Sequence, residues 1–196
     1  MLTGNEIQKR RKVTAWKRLL YLVTRRRRHL LPDIVIEPFD AKYCGPNSYD
    51  VHLAPTLLFY KDGLELPAKD ENATTKITIP DGGLILQPGD FCLGSTVEYT
   101  ETRNLAPMLE GRSSIGRMGL QIHPGSGFGD VGFCGTFTMP IKNLSKNPIR
   151  IFPNMKIGQL YYEQVSRDYT PYKGKYLGQS GATASRLYKD VADGTM

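Results

Sequence analysis

The sequence predicts an all-β fold, and three observations lead there. Twenty glycines and thirteen prolines cut the chain into short β-branched and aromatic runs bounded by turn residues, the pattern of many short strands joined by tight turns. Tyr49, Val51 and Leu53 alternate with Asp50 and His52, the two-residue period of a strand with one buried face. No apolar run approaches the roughly 20 residues that a spanning helix needs. At 196 residues the chain suffices for one domain with a substantial core plus an appended arm.

The arm comes first. Residues 1–31 contain ten Lys and Arg (Lys9, Arg10, Arg11, Lys12, Lys17, Arg18, Arg25, Arg26, Arg27, Arg28) against one acid, Glu6, a net charge of +9. The whole chain is +7, so the other 165 residues net −2 and all the excess positive charge lies in the arm. Val13, Trp16, Leu19, Leu20 and Val23 recur at helical spacing with Lys12, Lys17 and Arg18 off the stripe, which predicts an amphipathic basic helix. Residues 9–28 therefore suit nucleic-acid backbone or an anionic membrane surface, and equally a docked helix with a solvated charged face.

Strands follow over 33–37, 47–53, 57–60, 76–79, 84–87 and 91–93, separated by Pro80-Asp-Gly-Gly83 and Pro88-Gly89. The run 109–119 interrupts them with a strand end, a glycine, two hydroxyls and two arginines, the composition of a phosphate site. Next come a strand over 120–123, a glycine-rich hairpin over 124–133, and strands over 136–141, 149–152 and 156–163. Residues 172–186, polar and glycine-containing, predict a mobile segment that closes over a site. The expected organisation is an arm (1–31), a β domain (32–170) and a closing segment (171–196).

Composition also excludes chemistry. Cys44, Cys92 and Cys134 are odd in number and form no CxxC pair, so they predict buried thiols rather than a disulfide framework or a zinc site. Zinc-dependent base deaminases need an HxE and a PCxxC, and neither His29, His52 nor His123 is followed by xE. Without an apolar leader segment, the expectation is a soluble cytoplasmic protein.

Six blocks in register then resemble one family. NSYDVHL (47–53), LQPGDFCLGSTVEYTE (86–101), LEGRSSIGRMGLQIH (109–123), GDVGFCG (129–135), FPNMKIGQLYY (152–162) and KYLGQSGATASRLYKD (175–190) are similar to the dCTP deaminase and dUTPase superfamily. The opening MLTGNEI is similar too, which makes the basic stretch from about Arg10 to Leu31 an insertion. The resemblance implies a dUTPase-like distorted, jelly-roll-like β-barrel subunit in a homotrimer with sites at its interfaces, binding dCTP or dUTP with magnesium and no zinc.

Residue by residue, the resemblance implies that Ser113 and Arg117 contact phosphates or the reacting end of the base, Arg117 reaching in from a neighbouring subunit, while Arg112 and Ser114 are expected to bind the nucleotide beside them. Hydroxyl donors and forked cations suit a triphosphate. The hairpin at Gly125 to Phe133 reads the base with main-chain groups, which glycines permit; Asp130 holds the 3′-hydroxyl and orients water, and Phe133 packs under the sugar. His123 and Ser126 belong to the segment that holds the reacting water and base. Asp50 matches an acid associated with magnesium, and Tyr172, Lys175 and Gln179 match residues that close over phosphates and base.

One departure bears on mechanism. Deaminating C4 without zinc needs a carboxylate to move a proton from water to the leaving ammonia, and the family's Glu sits ten residues after the hairpin Asp. Ten residues after Asp130 is Pro140, which has no ionisable group and no N–H and is expected to perturb its strand. His123-Pro-Gly-Ser126 also departs from the usual His-Val-Thr-Ala. Glu98, Glu101 and Glu110 are the stand-in acids. The leading expectation is a dUTP diphosphatase that has lost deamination; the alternatives are a dCTP deaminase, and a catalytically inactive trimer reused through its basic arm.

Overall fold

The computed structural model describes residues 1–12, 32–66, 73–123, 127–166, 168–192 and 194. The basic helix expected from Val13 to Val23 lies outside them, as does Ser126. What is described is all-β, as expected, with eleven strands, three short α-helices and one 3-10 turn (Ala41–Tyr43) among the described residues.

The centre of the fold is β6 (Phe91–Thr102), twelve residues long, where the sequence pattern marks only the first three. It pairs antiparallel with β1 (Ile34–Glu37), β3 (Thr56–Tyr60) and β9 (Cys134–Asn143). With β4 (Thr74–Thr78) beyond β3 and β8 (Leu120–Ile122) beyond β9, these make a six-stranded sheet. A second sheet has the order β2 (Tyr49–His52), β11 (Lys156–Gln164), β7 (Leu105–Gly111), and β5 (Leu84–Leu86) pairs with β10 (Ile149–Ile151). Ile34, Ile36, Val51, Leu53, Leu57, Leu109, Met139, Ile141, Ile157 and Leu160, drawn from both large sheets, are completely buried and form the core between them. β7 escapes a pattern reading because Pro107 interrupts it. Proline is tolerated there because β7 is the edge of its sheet.

β6 and β9 lose register between Ser95 and Tyr99. Thr96 repairs the gap: its hydroxyl donates to the Glu98 carbonyl at 2.8 Å and accepts from the Phe137 N–H at 3.0 Å. The irregularity also turns Glu98 inward, where its carboxylate meets His52 Nδ1 at 2.5 Å and accepts from the His52 N–H at 2.9 Å. A buried carboxylate so satisfied is structural.

The N-terminal helix α1 (Gly4–Arg11) is capped by Thr3 and Glu6 in a reciprocal box. Leu2 and Ile7 are fully buried, Leu2 N–H donates to the Tyr162 carbonyl, and the terminal ammonium meets Glu163 at 2.8 Å. The start of the arm is therefore part of the body's core. We expect Ile7→Ala to destabilise the fold by about 2–4 kcal/mol, the cost of a cavity at a closed site, measured by urea unfolding.

Pro140 does not break β9, contrary to the expectation from sequence. A strand turns successive N–H groups to opposite edges. Phe137 N–H faces β6, donating to Thr96, whereas Thr136 N–H faces away, donating to the Gln179 carbonyl at 3.0 Å. Pro140 shares the parity of Thr136, so its missing N–H removes no bond to β6, and its carbonyl still accepts from His123 N–H at 2.9 Å.

Candidate functional site

Two depressions meet at His123 and Phe128, which line both. The first, about 530 Å³, lies under the GRSSIGR loop and is bordered by Glu110, Arg112, Ser113, Gln121 and Gly127. The loop is built by the end of β7, where Arg112 precedes a single turn, α2 (Ser113–Gly116). Ile115 is buried and anchors the turn, and the Ile115 and Gly116 N–H groups both donate to the Arg112 carbonyl at 3.0 Å. Anchoring Ile115 leaves Ser113, Ser114 and Arg117 exposed. Ser114 and Arg117 line neither depression.

The second, about 540 Å³, is a cleft between β9, the 127–133 segment and the C-terminal tail, and it contains Asp130, Phe133, Tyr172, Gln179 and Pro140 together. Gly127 and Gly129 let the hairpin backbone lie against β7: a Cβ on Gly127 would stand 2.0 Å from the Leu109 carbonyl oxygen, and one on Gly129 2.7 Å from that of Pro107. Phe133 stacks near Phe137 (4.8 Å) and Tyr172 (6.3 Å), forming one apolar wall. The Asp130 carboxylate is exposed, with no hydrogen bond or ion pair among the described residues, and is the only carboxylate among the described lining residues. Glu98 is held by His52 and Glu101 by Arg103 at 2.7 Å, so neither stands in for an acid at position 140. Glu110 borders the groove under the GRSSIGR loop instead.

The tail lies over this cleft along the free edge of β9. Tyr172 N–H donates to Val131, Gly178 N–H to Cys134, and Thr183 N–H to the Thr138 hydroxyl, at 2.7, 2.8 and 3.0 Å. Gln179 holds Thr136 from both sides, its amide donating to the Thr136 carbonyl at 2.8 Å while its own carbonyl accepts from Thr136 N–H. Lys175 does not line the cleft. Its ammonium pairs with Asp190 on α3 (Leu187–Ala192), which holds its pKa above the usual lysine value. Thr138, Tyr176, Thr183 and Ser185 also line the cleft and were not singled out from sequence. For Thr138 the signal was available, because it stands two residues before Pro140 on the same edge.

The magnesium expected at Asp50 does not fit the residues around it. Asp50 Oδ1 takes Arg112 Nε at 3.3 Å and Gln159 Nε2 at 3.3 Å, and Oδ2 takes Lys156 Nζ at 3.2 Å. Two cations already occupy the carboxylate, where magnesium demands close oxygen ligands. Among the described residues no three His, Cys, Asp or Glu side chains cluster as a metal site. Cys92 is buried, and burial pushes its thiol up to about 12; Cys44 and Cys134 are half-buried.

The described residues thus form an all-β fold with a glycine-lined cleft beside a Ser-Ser-Arg loop. The family model described as dCTP deaminase-like matches residues 21–165. A dCTP deaminase, dUMP-forming, of Hathewaya histolytica is 49% identical over 159 residues, covering 81% of this chain and 91% of that one. Its counterpart in Leptospira biflexa serovar Patoc is 43% identical over 191 residues, 97% of each. Among solved structures, the 2′-deoxycytidine 5′-triphosphate deaminase of Agrobacterium tumefaciens shares the fold, with a TM-score of 0.59 at 14% identity over 84% of this chain and 47% of that one. The chain belongs to the dCTP deaminase-like family.

His123, at the junction of the two depressions, has a left-handed backbone (φ 56°) and is buried. Burial lowers its pKa below 6.5, partly offset by a hydrogen bond with the Thr138 backbone. The unfolded chain therefore binds more protons at this residue just below pH 6.5, so its contribution makes the fold lose stability as pH falls through that window. We expect the His123 ring resonances to titrate with a midpoint below 6.5, by NMR; a midpoint above it would contradict the burial.

Proposed function

We propose that this chain binds a pyrimidine deoxynucleoside triphosphate and acts as a dUTP diphosphatase that no longer deaminates. The observation that supports this reading is Pro140 on the wall of the cleft, with Asp130 the one carboxylate among the described lining residues. The relatives' name, dCTP deaminase, dUMP-forming, describes two bond changes: loss of the C4 amino group and cleavage between the α- and β-phosphates. The first needs a carboxylate relay at C4. The second needs water held in line with the α-phosphate and cations around the triphosphate.

The residues for the second remain. In this reading Phe133 packs against the sugar, and Asp130 holds the 3′-hydroxyl and orients the attacking water. Arg112, Ser113 and Ser114 bind phosphate oxygens, with Arg117 donated to a neighbouring subunit of a homotrimer. Tyr172 and Gln179 close the cleft and exclude water that would compete. In this reading magnesium arrives with the triphosphate rather than on the protein, and the protein works in the cytoplasm. The 49% identity to dUMP-forming deaminases favours a second reading, dCTP converted to dUMP, which requires an acid other than residue 140.

Wild type, Pro140→Glu and Asp130→Asn, incubated with magnesium and either dCTP or dUTP and resolved by chromatography, separate the readings. We expect wild type to give dUMP and pyrophosphate from dUTP and to leave dCTP unchanged. Asp130→Asn is expected to lower kcat by about 100-fold or more, the scale of losing a positioned proton acceptor. Release of ammonia from dCTP would establish the deaminase reading, and turnover of neither nucleotide would overturn both in favour of a chain without catalysis.

A further inference from the structure

We infer that Asp50 is a positioning residue rather than a magnesium ligand, and that Lys156, which it holds beside Arg112, is a phosphate-binding cation. The inference rests on the reading of the GRSSIGR loop as a triphosphate loop. It begins with strand register. Asp50 on β2 stands opposite Gln159 on β11, and Lys156 opposite His52. Arg112 joins them because its N–H donates to the Ile157 carbonyl at 3.2 Å, fixing the loop to the start of β11. Three elements thus bring an arginine and a lysine within 3.3 Å of one carboxylate.

Charge and geometry decide what this cluster is for. The Asp50 carboxylate is met by two cations, which disfavours a divalent cation at its oxygens, and Glu110, opposite Gln159 in register, borders the same loop. Gln159 holds Asp50 in place, its amide reaching Oδ1 at 3.3 Å and the Ser48 hydroxyl at 3.2 Å. The Arg112 contact is made through Nε, which leaves both terminal amino groups without a hydrogen-bond partner among the described residues. A guanidinium braced at Nε presents those two groups as a fork, the geometry that grips phosphate oxygens. Lys156 is 39% exposed and lies 5.0 Å from the centre of the Tyr43 ring, so its ammonium has a second support while remaining open to solvent. Lys42, which also reaches Tyr43, is instead taken by Asp40 at 2.8 Å. Lys156 is the lysine that stands beside the loop with its charge uncommitted beyond the shared carboxylate.

The test is calorimetric binding of dUTP and dUMP to the full chain, in EDTA and in magnesium, for wild type, Asp50→Asn, Lys156→Met and Lys156→Arg. We expect Asp50→Asn and Lys156→Met each to weaken dUTP binding by about tenfold or more, the scale of a charge-assisted hydrogen bond, equally in both buffers. Binding of dUMP should change by less than about twofold because it lacks the outer phosphates, and Lys156→Arg should retain wild-type affinity. If Asp50→Asn binds magnesium-free dUTP like wild type and loses affinity only with magnesium, Asp50 is a metal ligand and the inference is overturned. Equal losses for dUMP and dUTP would mean a merely structural role, and an unchanged Lys156→Met would remove Lys156 from the site. Lys156 is partly exposed, so its variants read the proposal even if Asp50→Asn fails to fold. A wild type that binds dUTP in neither buffer overturns the nucleotide reading itself, whereas the other adverse outcomes overturn only this inference.

Discussion

The site depends on β9 having two different edges. One edge is bonded to β6 and locked into the core by Met139 and Ile141. The other is shared along its length by the tail at Cys134, Thr136 and Thr138, by the hairpin's entry at Pro140, and by β8 at Ile141 to Asn143. Because successive backbone N–H groups alternate between the edges, the N–H missing at Pro140 belongs to the cleft edge and removes no bond to β6. A proline that would break an interior strand is accommodated for this reason. The fold at this position therefore does not report on whether the site works.

The same constraint explains what was legible in the sequence. The all-β class, most strands, the turn positions and the Ser-Ser-Arg loop were visible because they are local: period, punctuation and composition specify them. β7 was not, because Pro107 erases the pattern on an edge strand where proline costs little. Nor was the full length of β6, whose second half carries Glu98 and Thr100 as buried polar residues. Their partners, His52 for Glu98 and the Val35 carbonyl for Thr100, lie 46 and 65 residues away.

Site residues follow the same division. Asp130, Phe133, Tyr172 and Gln179 share one cleft. Asp50 and Lys175 share the implied motif positions but not the implied surroundings. Each is committed to an opposite charge, Asp50 to Arg112 and Lys156, Lys175 to Asp190. A motif fixes which side chain is present. Only the partner set fixes whether its charge is available, and the partners here come from separate elements.

Replacing a glutamate by proline also changes the electrostatics of what remains. Two carboxylates in one cleft repel, so each makes the other harder to ionise. With proline at 140, the described cleft lining holds Asp130 as its one carboxylate, on an exposed segment. The aromatic wall of Phe133, Phe137 and Tyr172 and the tail's grip on β9 use none of the atoms at 140. In the proposed reading, base deamination and triphosphate cleavage draw on separable parts of one site: proline at 140 removes the relay for the first and leaves Asp130, the aromatic wall and the GRSSIGR loop in place for the second.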